Sequence, residues 1–120
     1  MASTYLNPGN FKHRSDAVIH NGVAYVSGAV PSDTSLDIKG QTAQVLAELD
    51  RRLAAAGTDK SELLSATIWL TDVNGDVAGF NEVWNAWVVP GRQPARAAVQ
   101  AALQVGAKVE VAVIAAVRSA

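Results

Sequence analysis

Two runs decide the architecture: Gly40-Gln-Thr-Ala-Gln-Val-Leu-Ala-Glu-Leu-Asp-Arg-Arg-Leu-Ala-Ala-Ala-Gly57, and shortly after it Ser65-Ala-Thr-Ile-Trp-Leu-Thr71. In the first, Val45, Leu46, Leu49 and Leu53 recur at three- and four-residue spacing, while Gln44, Glu48, Arg51 and Arg52 occupy the other faces. That is the period of an amphipathic helix, predicted over 40–56, with Arg51-Arg52 as its solvated end and Gly57 as a left-handed stop. The second run is rich in β-branched and aromatic residues and predicts a central strand. Between them, Asp59 and Glu62 resemble a capping pair over one short turn.

Toward the N-terminus, Asp16-Ala-Val-Ile-His20 and Val23-Ala-Tyr-Val-Ser27 are β-prone runs separated by Asn21-Gly22. Asn-Gly tolerates the positive φ values of a type I′ turn, so the pair predicts a hairpin. Residues 28–39 read as a loop, and 1–10 as a polar, turn-rich arm. Toward the C-terminus a second helix is predicted over 76–88, capped by Asp76, with Val77, Phe80, Trp84 and Trp87 on one stripe. Gly79 inside it costs about 1 kcal/mol relative to alanine. Pro90-Gly91 ends that helix, and strands follow over 95–101 and 108–117. The order β-β-α-β-α-β-β predicts one α+β domain over residues 1–120, a two-layer sandwich with two helices on one face of a mixed sheet. The other sheet face is apolar and has no helix left to cover it, which predicts an oligomer.

Composition narrows the function classes. The chain has 120 residues and 22 alanines, with 10 Lys+Arg against 11 Asp+Glu. So balanced a charge gives no general attraction for a polyanion, and nucleic acid is not the expected partner. There is no cysteine, hence no disulfide, thiolate nucleophile or cysteine-bound zinc, and only His13 and His20 supply imidazole. Both sit in or beside the predicted hairpin without metal-ligand spacing and read as surface or hairpin residues, so no metal site is expected. No apolar run approaches the ~20 residues of a membrane span, and the first ten residues lack a secretory signature; a cytoplasmic protein is expected.

Two residues stand out chemically. Arg96 is the lone charge between Arg92 and Lys108, set among alanines in Pro94-Ala-Arg-Ala-Ala-Val-Gln-Ala-Ala102. On a strand, Arg96, Ala98 and Gln100 share a face. A guanidinium beside a methyl-sized neighbour suits a carboxylate held by two parallel hydrogen bonds. The alternatives are an internal pair with a carboxylate such as Glu110, or exposure at a sheet edge. Glu110 lies within the alternating strand Lys108-Val-Glu-Val-Ala-Val-Ile114, where a carboxylate either faces solvent or lines a site and handles a water. Register, and therefore whether the two share a face, is not readable from sequence. The three tryptophans read as core.

Taken together, Thr67-Ile-Trp-Leu-Thr-Asp72, Phe80-Asn-Glu-Val-Trp84, Pro94-Ala-Arg-Ala-Ala98 and Val109-Glu-Val111 resemble the Rid (reactive intermediate deaminase, RidA/YjgF) family. Val26-Ser-Gly28 and Ser15-Asp-Ala-Val18 match it more loosely, and the likeness runs from about residue 11 to 117. The resemblance implies a chorismate-mutase-like fold, a homotrimer with clefts between subunits, and cofactor-free hydrolysis of 2-imino or enamino acids to 2-keto acids and ammonia. It assigns Arg96 to the substrate carboxylate and Glu110 to the hydrolytic water. It also places Asn81, Gly28 and the backbone of Ala98 at the pocket. Where the family often has Gly-Pro-Tyr, this chain has Lys12-His-Arg14, which puts a cation, Arg14, in place of a phenol. The loop around residues 32–38 is short. Two further readings go with the likeness: a non-catalytic carboxylate-binding module, and a ribonuclease or translation inhibitor.

Overall fold

The computed structural model describes residues 2–118. Its six strands are β1 (Thr4–Leu6), β2 (Ala17–His20), β3 (Val23–Ala29), β4 (Leu63–Leu70), β5 (Ala95–Gln100) and β6 (Val109–Ala116). Two helices, α1 (Ile38–Ala55) and α2 (Val73–Trp87), pack on one face of the sheet they form. Sheet order is β1-β2-β3-β6-β4-β5, with β4 and β5 parallel and every other pair antiparallel. The α+β sandwich with two helices on one face of a mixed sheet is thus the fold observed. No helix among the described residues is long and apolar enough to cross a membrane.

The hairpin forms as Asn21-Gly22 predicts, both residues taking positive φ (51° and 74°). The arm does not: Thr4–Leu6 pairs with β2 as a sixth strand, in the register Thr4↔Ile19 to Leu6↔Ala17. Three residues are too few to show an alternation, and Asn7-Pro8-Gly9 directly after them reads as turn. Helix α2 begins earlier than expected. Asp72, not Asp76, is its cap, accepting from Gly75 N at 3.1 Å, while Gln100 at the end of β5 accepts from Val73 N at 3.0 Å. Gly79 is explained by close packing, since a Cβ there would lie 2.9 Å from Ile38 Cγ2 at the start of α1.

The core lies between the helices and the sheet. Leu49 and Leu53 of α1, Phe80 of α2, and Ile68, Val109 and Val111 of the sheet are wholly buried. Each such side chain contributes about 1.5–3 kcal/mol of transfer free energy. The opposite face is uncovered, with Tyr25 and Val99 exposed on it. Trp69 belongs to this face and not to the core, because it pairs with Glu110 across β4 and β6. Trp84 and Trp87 are buried as expected.

Gln41 is a buried polar staple. Its Nε2 donates to the carbonyls of Thr34 (3.2 Å), Leu36 (3.1 Å) and Gly106 (3.1 Å), and its Oε1 accepts from Lys108 N at 2.7 Å. One side chain therefore ties the loop before α1 to the loop before β6. Gln41→Leu keeps the volume but strands those partners in an apolar setting. Such groups cost about 1–3 kcal/mol each, so the variant is expected to lose about 3 kcal/mol in urea unfolding with an unchanged m-value. A loss below about 1 kcal/mol would show that water replaces the amide.

Candidate functional site

Glu110 and Gly28 meet at a sheet irregularity. The β3–β6 register runs Val26↔Val113 and then shifts to Ala29↔Val111, so Ser27 and Gly28 form a bulge. Glu110 lays its carboxylate over that bulge: a Cβ built on Gly28 would stand 3.0 Å from Glu110 Cδ, with Oε2 closer still. Gly28 is required here by close approach and not by its φ angle. Among the described residues no side chain or backbone N–H donates to the Glu110 carboxylate. Beside the bulge opens a cavity of about 730 Å³, walled by Arg14, Gly28, Arg51, Arg52, Gln104 and Glu110 among others. His13, expected on the surface, also lines it.

Into this wall is built a charge network that the sequence did not announce. Asp16, 5% exposed, accepts from Arg14 Nη1 at 2.5 Å and from Arg51 Nη2 at 3.0 Å. Glu48 accepts from Arg51 Nη2 at 2.5 Å and from Arg52 Nε at 2.8 Å. Arg52 is itself buried and sends Nη1 to the carbonyl of Ser27 at 2.9 Å, at the bulge. The reading of Arg51-Arg52 as a solvated helix end is therefore corrected for Arg52, which anchors α1 to β3. Arg14 also lies with its Cζ 4.3 Å from the Phe11 ring centroid. Glu48 meets the two arginines at three- and four-residue spacing along α1. Asp16 joins them from 35 residues away in the chain, a link no local pattern marks.

Burial alone would raise the Asp16 pKa. Hydrogen bonds from Arg14 and Arg51, with the charge of Arg52, outweigh it and hold the carboxyl below its ordinary value of 3.8. A depressed folded pKa contributes stability that is present above the unfolded pKa and lost as pH falls through the folded one. Asp16→Asn is accordingly expected to cost about 3 kcal/mol at pH 7, the size of a broken buried pair. The gap from wild type should narrow as pH drops below about 4, where the unfolded chain's carboxyl takes up a proton that the native one, held by its arginines, still resists. Thermal melts of both proteins from pH 7 to pH 3 measure this; a gap independent of pH would contradict it.

Arg96 lies elsewhere. It projects from β5 toward α2, where its Nη2 donates to Asn81 Oδ1 at 2.7 Å. Its Cζ sits 5.5 Å from the Phe80 ring centroid and 5.6 Å from that of Trp84. Desolvation lowers its pKa from the ordinary arginine value, but a guanidinium remains charged in any protein site. The bond to Asn81 is its one side-chain hydrogen bond among the described residues, so most of its donor fork faces outward at the sheet edge. Ala98, on the same face of β5, is partly buried against the core. As an edge strand, β5 leaves alternate peptide groups without a sheet partner.

Register settles how Arg96 and Glu110 relate. Ala66 of β4 pairs with Arg96 on one side and with Val113 on the other. Glu110 is three residues from Val113, an odd number, so it points to the opposite face of the sheet. Within one chain Arg96, Asn81 and Ala98 form one cluster, and Glu110, Gly28 and Arg14 another. The sequence-level alternative of an Arg96–Glu110 ion pair inside the chain is excluded. Among the described residues no group of three His, Cys, Asp or Glu could hold a metal ion.

Known proteins resemble this chain in sequence and fold. The family profile described as Endoribonuclease L-PSP matches residues 6–117. The RutC family protein YoaB of Escherichia coli K12 is 47% identical over 104 residues, covering 86% of this chain and 90% of that one. The rat 2-iminobutanoate/2-iminopropanoate deaminase is 34% identical over 120 residues, covering 94% of this chain and 86% of that one. The crystal structure of NMB1025 from Neisseria meningitidis, a member of the YjgF protein family, matches with TM-score 0.93 at 44% identity, covering 100% of this chain and 98% of that one. With a profile match across nearly its whole length and relatives alike from end to end, the chain belongs to the YjgF (Rid) family.

Proposed function

We propose that the protein hydrolyses 2-imino acids to 2-keto acids and ammonia, at a site assembled from two copies of the chain. Arg96, with Asn81 and the Ala98 backbone, comes from one copy; Glu110, with Gly28 and Arg14, comes from the next. The observation that carries this reading is that each cluster is chemically half of a site. An outward guanidinium fork offers anchorage for a carboxylate, and a carboxylate without a protein donor sits over a bulge in an open cavity. Support also comes from the uncovered apolar sheet face, which suits contact between copies, and from the deaminase named among the relatives. We place the copies in a homotrimer, as the family resemblance implies.

The chemistry needs positioning more than force. A protonated imine carbon is already electrophilic, so holding substrate and water in an attack geometry supplies much of the acceleration. Arg96 binds the carboxylate of R–C(=NH₂⁺)–COO⁻. Glu110 takes a proton from water as the water oxygen bonds to the imine carbon, forming a carbinolamine. That proton passes to the nitrogen; as the C–N bond breaks, the carbinolamine hydroxyl gives its own proton to Glu110, which hands it to the departing ammonia, so ammonium and a 2-keto acid leave with Glu110 restored as carboxylate. The test is ammonia release from 2-iminopropanoate generated in situ, with and without protein. Acceleration over buffer supports the deaminase; binding of pyruvate without any acceleration supports the non-catalytic carboxylate module instead.

A further inference from the structure

Resting on this deaminase reading, we propose that the preferred substrate is a dicarboxylic 2-imino acid of four or five carbons, its second carboxylate received by Arg14 and Arg51. Both guanidiniums stand in the cavity wall beside Glu110, with side chains 29% and 52% exposed. Of the carboxylates that neutralise them, Asp16 is buried and spends both oxygens on arginine, while Glu48 lines the same cavity and is shared by Arg51 and Arg52. Three guanidiniums against Asp16 and Glu48 leave the network itself one positive charge in excess, and the carboxylate that would balance it, Glu110 in the same wall, makes no hydrogen bond to any of the three.

The donors are in place as well. A guanidinium has five N–H groups. Arg14 commits Nη1 to Asp16, and Arg51 commits Nε and Nη2, so Arg14 Nε and Nη2 and Arg51 Nη1 have no protein acceptor among the described residues. The Phe11 ring, its centroid 4.3 Å from Arg14 Cζ, contacts that guanidinium without consuming a donor. The network fixes both side chains from below, so a second carboxylate meets donors already held in place and loses less side-chain entropy on binding. A methyl or ethyl side chain gains contact with Val30, Pro31 or Ala47 in the same wall but leaves the donors to water.

The experiment compares 2-iminosuccinate with 2-iminopropanoate, each generated in situ by an amino-acid oxidase and followed by ammonia release with the full chain. The dicarboxylate is expected to show kcat/KM higher by about tenfold or more, the worth of one charge-assisted hydrogen bond. Arg14→Gln should shrink that ratio to about twofold, whereas Arg14→Lys should keep part of it. Should Arg14→Gln fail to fold, inhibition of the wild type supplies a second measurement: oxaloacetate should inhibit about tenfold more tightly than pyruvate. Equal or better handling of 2-iminopropanoate, with equal inhibition by the two keto acids, overturns the dicarboxylate assignment and leaves the deaminase standing. Hydrolysis of neither imine overturns both.

Discussion

Arg96→Ala is expected to lower kcat/KM for imine hydrolysis about a thousandfold while the protein stays folded. The size follows from what the side chain does. A bidentate guanidinium–carboxylate contact in a partly desolvated site is worth about 4 kcal/mol on truncation, and each 1.36 kcal/mol is a factor of ten. The fold should tolerate the change because Arg96 is exposed on an edge strand and meets the core only at its margin, over the Phe80 and Trp84 rings, which stay packed on each other without it. Arg96→Lys separates charge from shape: the charge stays while the fork is lost, so activity should fall between wild type and Arg96→Ala. Steady-state ammonia release with circular dichroism on all three proteins measures both parts. Arg96→Ala with wild-type activity would remove the anchor from the mechanism.

The second large effect falls on Glu110. Glu110→Gln is isosteric and cannot accept the water proton, so kcat is expected to drop about a thousandfold, within the range of general-base catalysis. KM should change little, because Arg96 still holds the substrate carboxylate. Gly28→Ala is a companion that leaves Glu110 chemically intact. Its methyl group would occupy the space of the carboxylate, which must swing toward solvent. Activity should fall about ten- to a hundredfold with little change in unfolding midpoint, since the displaced group is the far end of a flexible side chain. A Glu110→Gln variant that kept wild-type kcat would assign the water to another group.

These residues also show how far sequence carries. Asn21-Gly22 announced its hairpin, and the stripes of Leu46–Leu49–Leu53 and Phe80–Trp84–Trp87 announced the two helices, because turn chemistry and period are local. The start of α2 was displaced because Asp72 and Asp76 both satisfy the rule for a cap; only the bond from Gly75 N selects the first. Arg96 and Glu110 were legible as isolated charges in apolar strands. Their placement on opposite faces was not, since it depends on both strands flanking β4 in the registers found. The network of Asp16 with Arg51 and Arg52 escaped for the same reason. Charges adjacent in the sheet-helix layer are far apart in the chain, and an arginine pair on a helix carries no local mark of burial.

That opposite-face geometry makes the two-copy site the claim on which the mechanism turns. Mixing tests it directly: Arg96→Ala and Glu110→Ala proteins, each inactive alone, are unfolded together in equal amounts and refolded. If each site takes Arg96 from one copy and Glu110 from its neighbour, random assembly makes roughly a quarter of the sites whole, because each half is intact with even odds. Imine hydrolysis should then return to about that fraction of the wild-type rate. A mixture that assembles but stays as inactive as its two components would contradict a shared site.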